Sequence, residues 1–250
     1  MSPRWWVLAL LLPAASARAQ FGGFDFDPSK IGEGASKIIK GSTGIGIKEE
    51  LAIGGSVAVE IVSQYGGIWK DEAAARRANL IGKTLAQYSD RPELPFRFGL
   101  LDSPAVNAFS APGGYVFITR GAYEAAANDA ELAGVLAHEI IHVTRRHALR
   151  IISRNEFISG VSGVAAGTSA DFKAYDMGVD KASQTLLKTG YDTGTEFDSD
   201  LRARELALNA GFARGGLLEF LKKLQARGDA GTALFSTHPA LKDRIARLSK

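Results

Sequence analysis

The sequence predicts an α+β domain, mainly helical, with a small β-sheet next to its central helix. Three observations carry that reading. Residues 71–88 and the stretch after Asn128 place apolar side chains at helical spacing. Between them, residues 96–101, 106–110 and 115–119 are short runs of β-branched and aromatic residues. Two of these runs flank Ala111-Pro112-Gly113-Gly114, a turn composition. At 250 residues, 46% hydrophobic and 23% charged, the chain can bury one sizeable core.

Taken in order, residues 1–19 read as a signal peptide. Arg4 supplies its positive start, residues 5–12 its apolar stretch, and Ala17-Arg18-Ala19 a small-x-small cleavage site. That stretch is too short to span a bilayer. Residues 20–46 form a flexible Gly-rich lead-in, and residues 47–250 the folded domain. Without Arg4 and Arg18 the formal charge falls from +3 to +1. No basic block interleaved with aromatics remains, so nucleic acid is not an expected partner. The chain has no Cys, which excludes disulfides, cysteine catalysis and thiolate zinc sites.

Residues 47–65 read as a helix, with Gly54-Gly55 open to close approach by another helix. Residues 71–88 form a second, amphipathic one. Asn128 with Glu131 three residues later starts a helix running to about Leu149. Residues 158–170 are apolar but broken by three Gly. Further helices are expected over residues 197–210, ending at Gly211, and over 217–226 and 241–248.

The long central helix carries His138-Glu139-Ile140-Ile141-His142. Positions i and i+4 share a helix face, so both imidazoles can grip one ion beside a carboxylate. A catalytic zinc site needs a third protein ligand. His147, nine residues after His138, would point to the opposite face of an unbroken helix. Among downstream carboxylates, Glu156 leaves little room to turn back, and Glu205 lies well into a helix. Glu196 and Asp200 share a helix face, the first suited to metal and the second to an imidazole N–H. His238, before Pro239, is expected in a loop, as a plain turn residue, a fourth metal contact, or an oxyanion donor alone or with Arg244.

Several segments together resemble the HtpX-like and CAAX-prenyl-protease-like family of zinc metallopeptidases, most closely its periplasmic branch. They are Val106-Asn107-Ala108-Phe109, the run from Pro112 to Gly121, Glu131 through His142, Glu196 with Asp200, and Ser236-Thr237-His238-Pro239 with Asp243-Arg244-Ile245. The resemblance covers roughly residues 47–248. It implies a zincin-type domain with one Zn2+ held by His138, His142 and Glu196, and Glu139 as general base. It further implies Asp200 behind a ligating imidazole, His238 or Arg244 as gate or oxyanion donor, and a substrate edge at Asn107, Ala108 and Phe109. The implied activity is a periplasmic endopeptidase acting on unfolded or envelope polypeptides, with room for membrane association but no span after signal removal. Larger relatives carry a C-terminal repeat domain that is not evident in this sequence. A different class stays open beside it, a zinc-stabilised, chaperone-like binding protein with a capped site.

Overall fold

The computed structural model describes residues 45–154, 190–228 and 241–250, together with 20–21, 24–25, 184, 187 and 238. The signal, most of the lead-in, Glu156, the apolar residues 158–170, and Ser236, Thr237 and Pro239 lie outside the described residues. Near the N-terminus, β1 (Gln20–Phe21) pairs antiparallel with β2 (Phe24–Asp25). The domain proper begins with α1 (Ile47–Gln64) and α2 (Glu72–Gln87), the latter capped by the Asp71 carboxylate accepting from Ala74 N–H.

Strands β3 (Arg97–Leu101), β4 (Ala108–Ala111) and β5 (Tyr115–Thr119) form one sheet in the order β3-β5-β4. β3 runs parallel to β5, and β4 antiparallel to it. The turn joining β4 to β5 is a single 3-10 turn, Pro112–Gly114, in which Gly113 takes φ 76. Alternate strand residues feed two cores. Phe98, Leu100, Val116 and Ile118 join the larger one, while Leu101, Phe109, Tyr115 and Phe117 face α1. Gly54 of α1 meets this turn rather than another helix, since a Cβ there would overlap the Pro112 carbonyl.

After the short α3 (Arg120–Ala125), absent from the sequence expectation, comes α4 (Asp129–Thr144). Asn128 caps it through Glu131 N–H, and Glu131 in turn accepts from Ala127 N–H. Every residue from 131 to 144 is buried, so α4 is a core helix enclosed on all sides. Gly216 opens α7 (Gly216–Ala226) against it, where a Cβ would overlap the Ala130 carbonyl. α6 (Thr193–Asn209) and α8 (Leu241–Leu248) complete that side.

The helix expected to run unbroken to Leu149 is two helices. α4 stops at Thr144, Arg146 adopts φ 55, and α5 (His147–Arg154) begins after it. Neither Gly nor Pro marks the break.

Candidate metal centre

α4 presents His138 and His142 one turn apart, with their Nε2 atoms 3.0 Å from each other. α6 approaches with its first turn, fixed by the Asp192 carboxylate accepting from Thr195 N–H at 3.0 Å. That cap places Glu196 against the pair, with Oε2 3.3 Å from His138 Nε2 and Oε1 3.5 Å from His142 Nε2. His238 closes the group. Its Nδ1 lies 3.0 Å from Glu196 Oε1 and 3.3 Å from His138 Nε2. All four side chains are buried, and one ligand atom of each lies within 4.8 Å of the others.

These spacings fit zinc. Tetrahedral bonds of about 2.0–2.1 Å set ligand atoms roughly 3.4 Å apart, close to the contacts above. Two imidazole nitrogens facing each other at 3.0 Å repel unless a proton or a cation stands between their lone pairs. Glu196 Oε2 is buried without a hydrogen bond, which a cation would remedy. The donors are two or three imidazoles and a carboxylate, a set that suits zinc.

The electrostatics agree. Burial and Arg244 oppose a charge on His138, but Glu196 and Asp200 outweigh them and raise it to about 9. Burial dominates at His142 and pushes it down to about 3. Glu196 stays well below the usual carboxylate range, since His238, Arg244 and His138 overcome the cost of its burial.

Behind His138, Asp200 Oδ1 lies 3.0 Å from Nδ1. Arg244 of α8 grips Asp200 with two hydrogen bonds, Nη2 to Oδ1 at 2.6 Å and Nε to Oδ2 at 2.8 Å. Its Nη1 also lies 3.3 Å from Glu196 Oε2, so the guanidinium is engaged by these two carboxylates. Glu139 is 2% exposed, with Oε1 3.4 Å from His238 Nε2 and Oε2 free of hydrogen bonds. Asn107 is fully buried just before β4. Its carbonyl accepts from Thr119 N–H, and Ala108 and Phe109 follow on β4.

Three contributors were not legible beforehand. His147 does not face away. The break at Arg146 turns it inward, and its Nδ1 meets His142 Nδ1 at 2.9 Å. Tyr191 lies flat on the His142 ring, with centroids 4.1 Å apart and planes 17° apart. Glu50 of α1 is fully buried between Arg91 and Arg146. The apolar Ala148 and Leu149 beside His147 were the one local hint that it faces inward.

Residues 72–250 match the family model described as Peptidase family M48. The chain is 26% identical over 211 residues to a beta-barrel assembly-enhancing protease of Yersinia pestis, covering 80% of this chain and 43% of that protein. The same-named protein of Escherichia coli (strain K12) is 27% identical over 186 residues, covering 70% and 38%. A mitochondrial metalloendopeptidase OMA1 of Schizosaccharomyces pombe is 27% identical over 200 residues, covering 76% and 57%. The chain thus spans less than half the length of the first two relatives.

Proposed function

The chain belongs to peptidase family M48, and from that footing we propose that it is a zinc-dependent endopeptidase acting on unfolded or unassembled polypeptides of the cell envelope. The observation that carries the reading is the buried His138–His142–Glu196 triangle with the carboxylate of Glu139 beside it. Those three residues would hold the ion. When bound, zinc lowers the pKa of a water toward about 7 and polarises the scissile carbonyl. Glu139 takes the proton of the attacking water and returns it to the leaving amine. Asp200 keeps the Nδ1 proton of His138 in place, which leaves Nε2 free to bind.

His238 occupies the corner where a catalytic zinc site keeps an open position. We assign it the role of a gate: as a fourth ligand it holds the site latent, and its withdrawal admits water and substrate. The same contact favours a second reading, a zinc-stabilised binding protein with little turnover. Replacing His238 by Ala separates the two. A gate released raises peptide hydrolysis severalfold, whereas a binding protein stays inactive.

Substrate entry is assigned to β4. Among the described residues β4 ends the sheet, and its hydrogen-bonded partnership through Asn107 and Thr119 directs the Ala108 and Ser110 backbone groups away from β5; the Ala108 N–H is taken by Asn107 Oδ1 at 2.8 Å, so the edge is assigned to the Ser110 backbone. An extended polypeptide adding there would run alongside α4 with weak sequence preference. The periplasm is the proposed location, supported by the signal-like N-terminus; no helix among the described residues is long and apolar enough to cross a membrane. Casein hydrolysis by the zinc-loaded chain, with Glu139→Gln as control, tests the activity. Rates equal to this control in both the parent and the His238→Ala protein would refute it.

A further inference from the structure

We propose that His147 is a positioning residue for His142, fixing that ring's tautomer and orientation, and that Glu50 holds the backbone turn which delivers it. This rests on the reading of His142 as a zinc ligand. His142 directs Nε2 into the cluster and Nδ1 at His147 Nδ1, 2.9 Å away. A ring that gives its Nε2 lone pair to a cation carries its proton on Nδ1. Among the described residues that proton has one acceptor, the Nδ1 lone pair of a neutral His147, whose own proton must sit on Nε2. The rings stand at 76°, an arrangement that lets an N–H of one point along the plane of the other. Outer partners of zinc imidazoles are usually carboxylates, carbonyls or water, so a neutral imidazole in this place is unusual.

His147 reaches this position because of the chain break. On a continuous helix it would lie half a turn from His138, and the positive φ of Arg146 is what redirects it. A non-glycine residue held there is strained and needs outside support. Arg146 Nη2 lies 3.2 Å from Glu50 Oε2. Glu50, fully buried, is fixed in turn by two hydrogen bonds from Arg91 at 2.8 and 3.0 Å, and Gly113 N–H lies 3.3 Å from its Oε1. α1 precedes the residues that match the family model. In this chain it acts on the centre through Glu50, Arg146, His147 and His142 in sequence.

The test uses the full chain, stripped of metal and titrated with Zn2+ against a chromophoric chelator, then with Co2+ for its visible absorption. His147→Leu and His147→Asn have nearly the same shape, but only Asn offers an acceptor oxygen near the place of Nδ1. The Leu variant is expected to bind zinc about 10–100-fold more weakly and to shift the cobalt bands. The Asn variant recovers most of that loss. Glu50→Gln, which weakens the grip on Arg146, is expected to weaken zinc binding in the same direction. Long-range 15N–1H spectra of the zinc-loaded parent, which need no variant to fold, should find His147 protonated on Nε2.

Parent-like affinity in a folded His147→Leu protein, an Asn variant no better than Leu, or a His147 protonated on Nδ1 would each overturn the proposal. None of these readouts is peptide hydrolysis. A His238→Ala protein that binds zinc without cleaving ends the peptidase reading and leaves these ratios to decide this one. A parent that binds no zinc ends both.

Discussion

His138 and His142 sit one turn apart on the same helix, yet the regions behind them are built from opposite chemistry. Behind His138 stands an ionic lattice, Asp200 clamped by Arg244, assembled from α6 and α8. Behind His142 stand neutral rings, His147 edge-on and Tyr191 flat, supplied by the chain just after α4 and just before α6. The first region ties a metal ligand to the tertiary fold through full charges. The second tunes a ligand through a hydrogen bond and a stacked face, and it can be altered with less damage to the fold.

Breaking the ionic region should have the largest effect on stability. Arg244→Met strands two buried carboxylates, Asp200 and Glu196, and is expected to cost about 3–5 kcal/mol in urea unfolding. The double variant with Asp200→Leu should recover part of that loss. Next comes the cap that sets this region in place. Asp192→Ala should cost about 1 kcal/mol, felt in thermal unfolding.

That cap also has a pH signature. Hydrogen bonds from Thr195 hold the Asp192 carboxyl below its ordinary value. Its contribution is therefore present above about pH 4, its unfolded value, and is lost as pH falls through the lower folded value. Asp192→Ala and the parent should converge in stability below that window. The smallest effect belongs to the neutral side. Tyr191→Leu removes a stacked ring and should cost about 0.5–1.5 kcal/mol, with α6 and its carboxylates left in register. A larger loss there than in Arg244→Met would reverse the comparison.

The two regions also differ in how far the sequence disclosed them. That His138 and His142 share a helix face, and Glu196 and Asp200 another, follows from helical spacing, while the choice of Glu196 as third ligand and Glu139 as base came with the family resemblance. The spacing holds because α4 and α6 are regular over those residues. His147 eluded that reasoning because the turn at Arg146 carries no Gly or Asn to announce it. A buried carboxylate 96 positions earlier, Glu50, supports that turn, and periodicity has no access to such a contact. Gly54 shows the same limit, since its small size was readable but its partner, the Pro112 carbonyl, was fixed by the sheet. Strands β3 and β5 were legible from their composition, while the parallel pairing between them required the fold.

We propose that Glu139 works this buried cluster as a zinc peptidase site and that His238 gates it. This is tested most directly by the rate of casein hydrolysis by zinc-loaded parent, Glu139→Gln and His238→Ala proteins, each with its zinc content measured. Loss of a general base costs about 10²–10⁴-fold, so the account predicts that Glu139→Gln retains zinc but falls by at least that much, with His238→Ala above the parent. Full zinc occupancy in all three with no hydrolysis above the Glu139→Gln background would contradict it.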